Sequence, residues 1–330
     1  MSGATLPDDL LDREPGEAAR RLALALLERA RAARQRVEAR EDPEALHDFR
    51  VALRRLRSHF RAFRGELGVG ARKRRRRELD ELARATNPAR DAEVALALLP
   101  RILRAPEPRQ RRGVEALRSI VTSALDAADR HTRDALLPAF DRFDRRVAAK
   151  LGSYRIEVRL EAAEPGSRRF RSQLAERLAD HRRELDDALD ATAAGDDATA
   201  HGARVAAKRL RYLIDPACGG LEATGPVLEA LKSLQDLLGE LNDLRQLASR
   251  LADAAAALER RQMEAIALDG RPRRRPLPER SGFRALAGAL APARERLRNL
   301  LREHWSNPAG SERRALAAAL ERLAGELARG

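Results

Sequence analysis

Residues 47–57 read His47-Asp-Phe-Arg50-Val-Ala-Leu-Arg54-Arg55-Leu-Arg57, and residues 201–211 read His201-Gly-Ala-Arg204-Val-Ala-Ala-Lys208-Arg209-Leu-Arg211. Eight of the eleven positions agree when Arg54 and Lys208 are counted as equivalent. The agreement continues downstream at nearly the same offset. Leu82 to Asp91, ending Arg90-Asp91, answers to Leu234 to Asp243, ending Asn242-Asp243. A unit that returns in the same order implies an internal duplication, divided near residues 160–166.

On a helical wheel the first copy separates into two stripes. His47, Arg50, Arg54, Arg57, Arg61 and Arg64 are spaced 3, 4, 3, 4 and 3 residues apart. At ~100° per residue they fall within about a 100° arc, one side chain every ~5 Å along the axis. Leu46, Phe49, Leu53, Leu56, Phe60 and Phe63 keep the same spacing one position earlier, so they form the adjoining stripe and must face a core. Val51 and Ala62 lie on the far side of the cations. In the second copy His201, Arg204, Lys208 and Arg211 run beside Ala200, Ala203, Ala207 and Leu210. Like charges at these spacings cost ~0.2–0.5 kcal/mol per pair, roughly 1–2.5 kcal/mol over the first stripe, and no acidic residue is interleaved to offset them. An unneutralised cationic track present in both halves suits a linear polyanion, whose phosphate oxygens match guanidinium forks.

The rest of the chain agrees with an all-α fold. The sequence predicts helices over roughly 16–40, 44–64, 71–86, 88–104, 109–150, 168–193, 198–214, 226–238, 240–267, 282–305 and 311–328. The one period-two stretch, Tyr154 to Leu160, is short and isolated. A 330-residue chain with 43% hydrophobic but only 3% aromatic residues must build its core from Leu, Ala and Val. The reading divides it into an N-terminal tail, 1–15, a first helical repeat, 16–162, and a second, 163–330.

The formal charge is +14, which favours nucleic acid, an anionic surface or a phosphate polymer as partner. Only four of the 65 basic residues are Lys. Residues 51–150 hold 25 basic and 13 acidic residues, so the first repeat carries most of the excess. The single cysteine, Cys218, excludes an intramolecular disulfide framework. Apolar runs fall short of the ~20 residues that span a bilayer, and the N-terminus lacks a signal-peptide layout. The expected location is the cytoplasm, without membrane insertion.

The two histidine–arginine segments, with Arg90-Asp91 and Leu238-Gly-x-Leu-Asn242-Asp243 after them, resemble the CHAD family, the conserved histidine α-helical domain. The similarity spans roughly residues 16 to 305. It implies two pseudo-symmetric antiparallel helical bundles enclosing a basic cleft that binds inorganic polyphosphate. Carried over by position, the ligand residues would be His47, Arg50, Arg54, Arg57, His201, Arg204, Lys208 and Arg211; the stripe itself adds Arg61. The triphosphate-tunnel domain often fused to this family has a Glu-x-Glu-x-Lys strand, which Glu157-Val-Arg159-Leu-Glu161 does not match.

The function expected is therefore non-catalytic polyphosphate binding, with no cofactor and no metal. His47 and His201 each stand in line with cations, which disfavours a further cation. A polyphosphate- or nucleotide-processing enzyme would need clustered carboxylates for Mg²⁺. A nucleic-acid binder would need aromatics interleaved with the stripe. Attachment to polyphosphate or storage granules rests on family analogy alone. The Arg72–Arg77 run is a further candidate anion surface, Arg90-Asp91 and Asn242-Asp243 are expected to orient an arginine or cap a helix, and oligomeric state stays open.

Overall fold

Every long stretch with a 3.6-residue apolar rhythm becomes helix in the computed structural model, which describes residues 10–39, 42, 44–157, 169–217, 221–269, 277 and 279–329. The first half contains α1 (Pro15–Ala39), α2 (Ala45–Ala62), α3 (Lys73–Ala85), α4 (Asn87–Ile102), α5 (Pro108–His131) and α6 (Leu137–Glu157). The second contains α7 (Phe170–Ala191), α8 (Asp197–Ala217), α9 (Thr224–Asp269), α10 (Glu279–Leu301) and α11 (Ser311–Arg329). No strand occurs among the described residues, and the fold is all-α. Helix α6 runs through Glu157, so the first residues of the period-two stretch are helical. The rest of that stretch, the 160–166 divide and Cys218 lie outside the described residues.

The two halves share an order of elements: a pair of neighbouring helices, a long span, then a return. The returns contain a π-helical turn at corresponding places, Thr132–Leu136 after α5 and Arg302–Ser306 after α10. The long spans differ. In the first half the helix is cut at Thr86, between α3 and α4, because Pro88 has no N–H and its ring suits only the first helical turn. In the second half α9 is a single helix of 46 residues, about 69 Å long. The sequence predicts a break at Gly239, and this is corrected. An interior glycine costs only ~1 kcal/mol relative to alanine. Around it Leu231, Leu234, Leu238, Leu241, Leu244, Leu247 and Leu251 are all buried, each worth about 1.5–3 kcal/mol. Burial outweighs propensity.

Two apolar cores result, and each draws on both halves. The larger lies among α1, α2, α3, α6, α7, α8, the N-terminal part of α9 and α11. The expected apolar stripe of α2 is there, with Phe49, Leu53, Leu56 and Phe60 fully buried, as are Ala203, Ala207 and Leu210 of α8. The smaller core is formed by α4, α5, the C-terminal part of α9 and α10. At its tightest point Gly113 of α5 meets Gly282 of α10, where a Cβ on either would stand 2.8 Å from the other's Cα. Only glycine permits that approach. Because α2 packs on α8 and α4 on α9, the two basic helices are held face to face.

Candidate functional site

A cleft of about 380 Å³ opens between these elements. Helix α2 contributes His47, Arg50, Arg54, Arg57, Ser58 and Arg61. Helix α8 contributes His201, Arg204, Val205, Lys208, Arg209 and Tyr212. The remaining wall comes from Asn87, Arg90 and Asp91 at the start of α4 and from Asn242, Asp243, Arg245 and Gln246 of α9, with Ala83 and Val94. Eight of the nine residues expected from the sequence therefore stand together.

Arg211 is the exception. Its Nη1 donates to Gln235 Oε1 at 3.1 Å, and Gln235 Nε2 donates to the Ala207 carbonyl at 3.1 Å. The wheel explains the difference: ten residues beyond His201, Arg211 is rotated about 80° from it, whereas Tyr212 is within about 20°. Arg57 has the same rotation relative to His47, but Ala83 occupies the position that matches Gln235, so no amide there draws Arg57 out of the cleft lining.

The cations converge strongly enough to perturb one another. Burial pushes Lys208 down to about 6, with Arg54, Arg204 and Arg50 adding to the effect and Asp243 opposing it. Burial and Arg54 push Arg50 down to about 10, with Asp91 opposing. Arg204 is lowered by burial and by Arg54 on the facing helix. His201 is lowered by burial, then by Arg204, Arg245 and Lys208. Among the described residues no carboxylate makes an ion pair with Arg50, Arg54, Arg204 or Lys208. Among the described residues Arg50 makes one long side-chain hydrogen bond, Nη2 to Asn87 Oδ1 at 3.5 Å, and the buried Nε atoms of Arg50 and Arg204 find no partner there.

One end of the track is less bare than the sequence suggests. Asp48, the acidic residue of α2, pairs with Arg36 of α1 rather than with the track, but Asp80 of α3 reaches across to it, 3.0 Å from Arg61 Nη2 and 3.7 Å from Arg57 Nε. A wheel of a single helix does not contain that neighbour. Asp91 and Asp243 also face the cleft as counter-charges. Thr86, at the start of α4, makes no side-chain cap. Asn242 Nδ2 donates to Asp243 Oδ1 at 3.4 Å, and Arg245 Nη2 donates to Asn242 Oδ1 at 3.5 Å. No three His, Cys, Asp or Glu side chains gather as a metal site among the described residues.

The other cationic candidates stay apart. None of the Arg72–Arg77 run lines the cleft; Lys73 is exposed and Arg74 pairs with Glu78 at 3.2 Å. Arg64 is exposed and outside the lining. Sequence reasoning missed Asn87, Arg209, Tyr212, Arg245 and Gln246. Tyr212 was detectable at i+4 from Lys208 (and i+11 from His201); the α9 residues needed the tertiary packing. His59 has a purely structural place: its Nε2 donates to the Ala19 carbonyl at 2.7 Å, and burial lowers it to about 4.

The CHAD domain family model matches residues 21–252, well over half of the chain. The chain belongs to the CHAD family. Its fold is similar to the crystal structure of the CHAD domain from the plant Ricinus communis, with a TM-score of 0.63 and 22% identity over 97% of this chain and 95% of that one. It is also similar to PptA from Streptomyces chartreusis, with a TM-score of 0.60 and 17% identity over 94% of this chain and all of that one. At these identities the likeness concerns the CHAD fold. No curated protein matches the sequence. No described helix is long and apolar enough to cross a membrane.

Proposed function

We propose that the cleft binds inorganic polyphosphate and holds it without chemical change. The observation that carries this reading is the cluster of Arg50, Arg54, Arg204 and Lys208, gathered from two helices in one cleft with no ion-paired carboxylate among the described residues. Such a cluster opposes folding, and a local cost without a structural return marks a functional site. A bound polyanion would neutralise the cluster, and the low dielectric of the cleft strengthens each charge-assisted hydrogen bond. The shape favours a linear ligand. From His47 to Arg61 the track runs about 21 Å along α2, with Arg204 and Lys208 opposite. His47 and His201 are exposed members of the lining, placed to hydrogen-bond terminal or bridging oxygens.

The test is a titration with polyphosphates of graded length, with single-stranded RNA and DNA as controls. Affinity is expected to fall steeply with salt, as for other multi-phosphate contacts. Replacing Arg50, Arg54 and Arg57 together by Ala should weaken binding more than a hundredfold, at ~1.5–3 kcal/mol per charged hydrogen bond, while the helical circular dichroism persists. Retained binding would overturn the proposal. Asp91 and Asp243 in the same wall favour one other reading, a Mg²⁺-dependent phosphoryl-transfer enzyme. Magnesium-dependent phosphate release from purified protein, lost on Asp243→Asn, would replace the first reading with that one.

A further inference from the structure

Lys208 differs from every other cation in the cleft. It is the only lysine lining it, in a chain with just four, and it occupies the position held by Arg54 in the first half. A guanidinium there is permanently charged and chemically inert, whereas a lysine amine can lose its proton and act as a nucleophile. Its surroundings are cationic on both sides, Arg50 and Arg54 from α2 and Arg204 from its own helix, while Asp243 of α9 is the nearby acidic group. None of these makes an ion pair with it among the described residues. The side chain is half-buried and faces the open cleft. The free protein thus sets an amine, held down to about 6, beside guanidinium groups suited to a phosphate.

We propose that Lys208 is a site of covalent acylation by small acyl phosphates, with Arg50, Arg54 and Arg204 holding the phosphate so that the carbonyl meets Nζ. The amine lone pair attacks the carbonyl carbon and a C–N bond forms. The C–O bond to phosphate breaks, and phosphate leaves with that electron pair. The proton lost by the nitrogen passes to the departing phosphate, so an acyl phosphate and an amine become an amide and hydrogen phosphate. Neither oxidant nor metal is needed. The modification would remove one cation and fill part of the cleft, so it would antagonise polyanion binding. The inference shares with the proposed function the premise that phosphoryl groups enter here, but a short acyl phosphate suffices for it.

The experiment incubates the full chain with acetyl phosphate near neutral pH and quantifies acetylation at each lysine by peptide mass spectrometry. Lys208 should react roughly tenfold or more faster than the exposed Lys73 and Lys232, because burial among Arg54, Arg204 and Arg50 leaves more of its amine unprotonated and those groups hold the phosphate beside it. Its rate should level off above about pH 6. Excess tripolyphosphate should protect Lys208 alone, and the preference for Lys208 should be clearly larger with acetyl phosphate than with acetic anhydride, which has no phosphate for the guanidinium groups to hold. Equal rates at Lys208 and Lys232, or no protection, would overturn the inference. A direct polyphosphate titration of the same preparation separates the two ideas. Binding without selective acylation removes only this inference; selective acylation without polyphosphate binding removes only the proposed function.

Discussion

The same segment of the two halves is built in two ways, and the difference reaches into the cleft. In the first half the span after the basic helix breaks at Thr86, and α4 restarts at Asn87-Pro88 with Asn87 against Arg50. In the second half Gly239-Glu240 occupies the matching place inside the unbroken α9. Charges are exchanged as well. Asp80, which engages Arg57 and Arg61, is matched by the exposed Lys232. Arg90 and Glu93 are matched by Asn242 and Arg245. A repeated pattern therefore supplies a common register for the cations, while each half settles its own neutralisation.

The largest effect should come from copying the break of the first half into the second. Glu240→Pro would remove an N–H and introduce a ring clash in a helix that lines both cores, costing about 3 kcal/mol or more. Pro88→Ala, at an existing break, should change stability by less than about 1 kcal/mol. Denaturant titration of both variants checks this, and equal losses would show that the break does not distinguish the halves.

The next contrast is His59, whose counterpart in the second copy is the buried Leu213. Since His59 is lowered from 6.5 to about 4 by burial, the unfolded chain binds more protons between those values. Stability contributed by neutral His59 is present above about pH 6.5 and is lost as pH falls toward 4, by up to about 3 kcal/mol. His59→Leu should flatten that part of the pH–stability curve. An unchanged slope would assign the pH dependence elsewhere.

Arg54 against Lys208 comes third. Arg54→Ala should weaken polyphosphate binding about tenfold or more at any pH from 6 to 8, at ~1.5–3 kcal/mol for a charged hydrogen bond. Lys208 is lowered to about 6 by burial and by Arg54, Arg204 and Arg50, so a bound anion would raise it again and binding would take up a proton. Affinity should then fall as pH rises from 6 to 8, and Lys208→Arg should remove most of that dependence. Calorimetry in buffers of different ionisation enthalpy measures the proton directly; His201, also lowered, accounts for any remainder.

Asp80 carries the smallest effect. Asp80→Asn frees Arg57 and Arg61 and should raise affinity for long polyphosphate several-fold, a surface-type pair being worth up to about 1 kcal/mol. Lys232→Asn, at the matching place, should leave it unchanged.

Much of this was legible before any coordinates. The stripe from Leu46 to Phe63 and the stripe from His47 to Arg61 are local consequences of helical rotation, so spacing alone separates core from cleft. Arg211 shows where that reasoning ends. Over ten residues the rotation accumulates, and whether a long side chain bridges the angle depends on a neighbour such as Gln235 or Ala83 from another helix. Gly239 shows the same limit for elements: its propensity is local, but the leucines that keep α9 continuous act through what they touch.

The sequence by itself determined the all-α class, the recurring register and which face of each basic helix carries charge, because these follow from the geometry of a single helix. Only the tertiary structure decided that the two cationic faces meet, that both cores mix helices from both halves, and which cations find a counter-charge. Those outcomes depend on distances between residues far apart in the chain, which burial and packing set.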